Sequence, residues 1–153
     1  PYTTLFRSAD AAALIEDVRC GRCDVCIGSR FLSSDSYRMP LARRAGSKVF
    51  SVLVLILTGK KVRDVTSGFQ AMSRKVIELC ASDRFPADYP DANLILQYLL
   101  SGFIVQEKGV AMKANETGKS MHAGLGVVFY MYHMALSVMT IFLTALFKRR
   151  GAK

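Results

Sequence analysis

Two groups of side chains in this 153-residue chain could do chemistry: closely spaced cysteines and clustered arginines. Cys20, Cys23 and Cys26 step by three, as in iron–sulfur and zinc sites. A local fourth ligand is missing, because position 30 is Arg, Cys80 is far along the chain and no His lies near. Within a strand a step of three also points Cys23 and Cys26 to opposite faces. Small buried thiols are therefore expected, not a metal site. His122 and His133 have no carboxylate or nucleophile at a recognisable spacing and read as surface or helix-face residues. Gly118-Lys119-Ser120 has the ending of a phosphate loop, but Lys113 occupies the position of the upstream glycine. It reads as a basic turn able to close over a phosphate, not as a nucleoside-triphosphate loop.

The arginines belong to a local positive field. The chain has 21 Lys+Arg against 12 Asp+Glu, a formal net charge of +9. Residues 36–63 contain Arg38, Arg43, Arg44, Lys48, Lys60, Lys61 and Arg63 and no acid; Thr117 to the end is also acid-free, with Lys119, Lys148, Arg149, Arg150 and Lys153. Such patches attract nucleic acid or the phosphates of lipids and lipid-linked substrates. Here the cations flank the apolar runs Val49 to Leu57 and Leu125 to Phe147, without aromatics interleaved for base stacking. The expectation is lipid and a membrane surface, and no nucleic acid. With 51% hydrophobic residues the chain has ample apolar surface to order itself.

The elements that must position these groups follow from periodicity and stop signals. Ala9 to Arg19 reads as a helix stopped by Gly21, and Cys23 to Ile27 as a buried strand closed by Gly28. Pro40 starts a helix with Arg43, Arg44, Ser47 and Lys48 on its first turns, running to Gly59. Positive charge there opposes the helix dipole, which suggests a compensating anion. Asp64 to Phe69 reads as a turn, Ser73 to Cys80 and Asp91 to Ser101 as helices, and Phe103 to Met112 as a strand interrupted near Gly109. Leu125 to Phe147 is long enough to cross a bilayer at about 1.5 Å per residue. Gly126, Tyr130, His133, Ser137, Thr140, Thr144 and Lys148 make one polar stripe along it. That favours a weakly amphipathic helix lying in the interface or docked on the protein body over a true span or an ordinary core helix. The order of elements predicts an α/β domain with a mixed sheet.

Asp24-Val25-Cys26-Ile27-Gly28-Ser29-Arg30-Phe31, Arg43-Arg44 with Ser47, Gly59, Asp64-Val65-Thr66-Ser67-Gly68-Phe69 with Arg74, and Gly118-Lys119-Ser120 occur in that order. From Ala9 to about Phe147 the chain thereby resembles the C-terminal part of family-two inverting glycosyltransferases of the dolichyl-phosphate mannose synthase and polyprenyl-phosphate glycosyltransferase type. The resemblance implies the C-terminal part of a nucleotide-sugar-binding, glycosyltransferase A-type α/β fold, followed by a membrane-associated helix. It implies that Arg30, one of Arg43 and Arg44, and Ser47 hold the acceptor phosphate, for which guanidinium forks and a hydroxyl are suited. Gly28 and Ser29 complete that first motif. Asp64, the candidate catalytic carboxylate, lies with Thr66, Ser67, Gly68 and Phe69 in the loop beneath the active site. Lys119 and Ser120 match a loop closing over the donor diphosphate. Asn115 stands where relatives commonly have Arg, leaving that contact to Lys113 or Lys119, and Gly109 stands where Pro is usual. Structural alternatives remain for three of these: Arg30 as a surface cation, Arg43 or Arg44 as a membrane-facing charge, and Asp64 as a loop cap.

The implied reaction transfers a sugar from a nucleotide-diphosphate donor to a polyprenyl phosphate with inversion. The acceptor is already an oxyanion, its second pKa being about 6, so positioning by cations dominates over general-base catalysis. Mg²⁺ or Mn²⁺ would neutralise the leaving diphosphate, held by an acidic motif upstream of Ala9. Residues 1–8 read as the translation of a short-read sequencing adapter, so the expected organisation is a scar over 1–8, the catalytic-domain part over 9–120, and the helix with its basic tail over 121–153. On that reading the piece alone is inactive, and the whole enzyme works at the cytoplasmic face of the membrane. Two rivals stay open: a family-two transferase acting on a saccharide hydroxyl with Asp64 as base, and a non-catalytic membrane-binding module.

Overall fold

The computed structural model describes residues 7–33, 41–82, 92–111 and 125–150. Among them the chain order is α1 (Ser8–Arg19), β1 (Val25–Ser29), α2 (Leu41–Thr58), β2 (Gln70–Met72), α3 (Arg74–Cys80), α4 (Ala92–Leu100), β3 (Val105–Gly109) and α5 (Leu125–Arg150). The strands form one mixed sheet of order β2-β1-β3. β1 is antiparallel to β2, with Val25 opposite Met72, and parallel to β3, with Ile27 opposite Glu107 and Ser29 opposite Gly109.

All five residues of β1 are buried, as the middle strand of a sheet covered on both faces must be. Strand alternation sends Val25 and Ile27 to the larger core, where they join Phe50 and Val54 of α2, Ile95 and Tyr98 of α4, and Met134 and Val138 of α5. Cys26 points the other way, into a smaller cluster with Leu14 of α1, Cys23 and Val110. On α2 the sheet-facing stripe is Ser47, Phe50 and Val54, at steps of three and four, so the apolar packing of two residues carries a serine inward. Gly59, at φ +70°, closes α2, and its N–H bonds Leu55 O. The left-handed turn aims residues 60–69 back across the sheet.

The α/β class and the mixed sheet agree with expectation, and each expected helix is present with its ends moved by a few residues. Four differences have physical causes. β2 has no counterpart among the expected elements, which leave Gln70 to Met72 unassigned, since three residues are too short for a period and Gln-Ala-Met has little β preference. Cys23 precedes β1 instead of lying in it, so Cys23 and Cys26 share one cluster and do not face opposite ways. Cys20 is exposed, past the end of α1, and Cys80 is half-buried, so only two of the four thiols are buried. α1 begins at Ser8, with Arg7 as its N-cap, and so recruits two residues assigned to the adapter scar.

α5 also departs from expectation, in its surface. His133, Thr140 and Thr144 of the polar stripe are exposed, yet so are Phe129, Tyr132, Leu136, Met139 and Leu143. The nine-residue α4 covers only the face bearing Met134 and Val138, which leaves apolar side chains on the outside. Among the described residues no helix is long and apolar enough to cross a membrane. Exposed His133 packs its ring on Phe129 and Tyr132, in keeping with a helix-face residue.

Candidate functional site

Arg30 is the residue immediately after β1, at the carboxyl end of the parallel pair β1–β3, where ligands bind in open α/β sheets. Asp64 reaches the same point from the loop after α2. Its Oδ2 accepts the Arg30 backbone N–H (2.9 Å) and Nε–H (2.8 Å), and its Oδ1 accepts Nη2–H (2.6 Å). The Asp64 side chain is fully buried and that of Arg30 is 12% exposed. A fork-to-fork pair of this kind needs guanidinium; an ammonium could not match both oxygens.

The network runs further. Arg30 Nη2–H also donates to Thr66 Oγ1 (2.8 Å), and the Thr66 hydroxyl donates to Ser47 Oγ (3.2 Å) on the inner stripe of α2. Four residues expected to act together, from three separate segments, are thus in one hydrogen-bonded chain. Gly28, Ser67, Phe69 and Gln70 brace it. Ser67 Oγ–H donates to Gly28 O (2.7 Å), Gly28 N–H donates to Phe69 O (2.8 Å), and the Gln70 side-chain amide donates to Ser67 O (2.8 Å). Among the described residues the buried Ser29 hydroxyl has no hydrogen-bond partner, a cost of about 1–3 kcal/mol at the strand end beside Arg30. Gly68 is exposed at the tip of the turn.

Other expected residues stand apart or outside. Arg44 and Lys48 are exposed on α2, and Arg74, the last residue of the resemblance in the 64–74 stretch, makes an exposed pair with Glu78 (2.9 Å). The side chain of Arg43, and Asn115, Lys119, Ser120 and His122, lie outside the described residues. Sequence reasoning missed Glu107. Its Oε2 accepts the Arg63 N–H and its Oε1 the Asp64 N–H, both at 2.8 Å. The only available signal was its place in the strand Phe103 to Met112, and without the register nothing said which face it took.

The opposite sheet face holds a second polar group. Asp17 of α1 accepts from Lys108 Nζ (2.8 Å) and from Arg22 Nε (2.9 Å), and Arg22 Nη2 pairs with it as well. The Lys108 hydrogen bond, then that of Arg22, lowers the Asp17 carboxyl below its ordinary value. A lowered carboxyl contributes stability above its unfolded value and loses it as pH falls through the folded one. Lys108→Met is therefore expected to flatten the acid limb of a pH–stability curve below about pH 4, leaving neutral-to-alkaline changes alone.

Burial pushes the Cys26 thiol up to about 12 and raises Cys23 as well, so both stay protonated and unreactive at neutral pH. At pH 8, iodoacetamide is expected to modify exposed Cys20 and spare Cys23 and Cys26 until denaturant is added, as intact mass would record. Glu16, whose carboxylate accepts from Cys20 Sγ (2.9 Å), raises the Cys20 thiol and slows its reaction.

Among the described residues no three His, Cys, Asp or Glu side chains gather as a metal site. Asp64 and Glu107 are each committed to N–H donors, the ligands of the divalent cation that the resemblance implies are expected upstream of Ala9, and the chemistry here is that of a part-buried guanidinium and its hydroxyl neighbours. No family model, no curated protein and no solved structure matches the chain.

Proposed function

We propose that the chain is the acceptor side of an inverting glycosyltransferase that moves a sugar from a nucleotide diphosphate to a polyprenyl phosphate. The observation that carries this reading is the convergence of Arg30, Ser47 and Thr66, from separate segments, at the carboxyl end of β1. A guanidinium with the Ser47 hydroxyl suits a phosphate monoester, and Thr66 links the two. Arg44, exposed on α2 one turn before Ser47, is the second cation available to such an acceptor, and Arg43 the alternative. The donor and the Mg²⁺ or Mn²⁺ ligands are assigned upstream of Ala9, and the diphosphate loop to Lys119, Ser120 and Asn115.

Support for a membrane surface comes from α2 and α5. Val49, Val52 and Ile56 of α2 and Leu136, Met139 and Leu143 of α5 are exposed, on helices without an acidic residue. Basic residues beside exposed apolar ones favour anionic lipid, which supports reading the proposed acceptor as lying at the cytoplasmic face. The saccharide-hydroxyl reading is less well supported, because it needs Asp64 as a base. That carboxylate is fully buried, and both its oxygens accept from Arg30.

The test joins the chain to its upstream reading frame and supplies radiolabelled nucleotide-sugars with membranes containing undecaprenyl or dolichyl phosphate. Label is expected in the organic extract, and Ser47→Ala is expected to lower its rate of formation about tenfold, one hydrogen bond to a charged group. Label in a water-soluble saccharide product distinct from the donor, with none in the organic extract, would favour the saccharide acceptor. Strong flotation on anionic liposomes with no transfer at all would favour the non-catalytic membrane module.

A further inference from the structure

We propose that Glu107 is a positioning residue for Arg30, acting through the backbone of Arg63 and Asp64. Glu107 is half-buried in β3, opposite Ile27 of β1, and the parallel register turns it to the α2 side of the sheet. There its two oxygens accept the consecutive N–H groups of Arg63 and Asp64, one each. Those amides belong to a stretch without regular secondary structure. The carboxylate therefore takes the place of a ladder partner and ties the loop to β3.

The consequence falls on Arg30. Asp64 can match the guanidinium fork only if its own main chain is fixed, and two of its contacts go to Arg30 side-chain nitrogens at 2.6 and 2.8 Å. Glu107 fixes the Asp64 backbone, Asp64 fixes Arg30, and Arg30 meets Thr66 and through it Ser47 on α2. The relay runs without a break from β3 to α2 and passes through every described side chain assigned above to the acceptor phosphate except exposed Arg44. That it serves an acceptor phosphate rests on the function proposed above; that it orients Arg30 does not.

Asp24 provides a matched control. Its Oδ2 accepts the Ile104 N–H (2.9 Å) at the opposite end of the β1–β3 pair, the same kind of carboxylate-to-backbone clamp far from Arg30 along the strand.

The experiment is amide hydrogen exchange and the Arg30 Nε–H resonance, recorded on the full chain. In the unmodified protein the Arg63 and Asp64 amides are expected to be protected, and rapid exchange at both would overturn the proposal without any variant. In Glu107→Gln, which keeps one acceptor oxygen, their exchange is expected to rise about tenfold, one charge-assisted hydrogen bond, while β1 amides hold. The Arg30 Nε–H signal is expected to shift and broaden in Glu107→Gln and to stay in place in Asp24→Asn. An unchanged signal in Glu107→Gln, or an equal change in both variants, would overturn it. If Glu107→Gln fails to fold, protection in the unmodified protein decides. Farnesyl phosphate then separates the two ideas: its Kd is expected to weaken about tenfold in Glu107→Gln alone. No binding to the unmodified protein would refute the acceptor reading and leave the relay judged by the Arg30 signal.

Discussion

Arg30→Ala is expected to lower folding stability by about 3–5 kcal/mol, the cost of leaving a buried carboxylate without its partner. Asp64 is fully buried and accepts three hydrogen bonds from Arg30, of which the substitution removes the two from the side chain. Thr66 loses a donor at the same time, which loosens its tie to Ser47. Urea unfolding of Arg30→Ala, Asp64→Leu and the double variant Arg30→Met with Asp64→Leu would measure this. The double variant is expected to recover most of the loss, because well-packed apolar side chains replace an ion pair at little net cost. If Arg30→Ala unfolds within about 1 kcal/mol of the parent, the pair is solvated in solution and the site is more open than its geometry implies.

This result bears on how Arg30 is tested functionally. A transfer assay on Arg30→Ala mixes lost phosphate contact with lost fold. Arg30→Lys keeps the charge and removes the fork, so a folded Arg30→Lys protein that no longer binds a prenyl phosphate isolates the contact itself.

The resemblance named Arg30, Ser47, Asp64 and Thr66, the structure joins these four in one hydrogen-bonded chain, and a local signal beside each explains how it comes to be there. Gly28 ends an apolar run, so Arg30 falls just outside a buried strand. Phe50 and Val54 fix which stripe of α2 faces inward, and Ser47 lies on that stripe three residues earlier. Gly59 stops α2 and turns the chain toward Asp64 and Thr66. What sequence could not convey were relations between segments. Glu107 is one of three consecutive polar residues in Gln106-Glu107-Lys108, and only pairing with Ile27 selects it for the α2 side while sending Lys108 to Asp17. The partner of Asp64 is likewise a long-range fact, since 34 positions separate it from Arg30. α5 misled for another reason. Of its expected polar stripe, His133, Thr140 and Thr144 are exposed and Ser137 accepts from Asn93 of α4, and how much of its apolar surface is covered depends on the length of α4, which no pattern within α5 encodes.

Gly28→Ala is expected to destabilise the fold by about 1–3 kcal/mol through overpacking, for a reason specific to the turn that carries Thr66. A Cβ at position 28 would lie 2.5 Å from Phe69 Cδ1 and 3.1 and 3.2 Å from the two Val110 methyls. Phe69 cannot retreat with its backbone, because its carbonyl accepts the Gly28 N–H at 2.8 Å and the Gly28 carbonyl accepts the Ser67 hydroxyl at 2.7 Å. The ring must swing instead, into Val110 or into solvent. Phe69→Ala removes the obstacle, so in a double-mutant cycle the two losses are expected to fall short of additivity by about 1 kcal/mol or more. Strict additivity would mean that the close approach is not what requires glycine. If the coupling is found, the glycine of the Gly28-Ser29-Arg30 motif is a steric condition of the 64–69 turn. Gly28→Ala would then weaken phosphate binding only as far as it displaces Thr66 from Arg30, and relief by Phe69→Ala would restore both together.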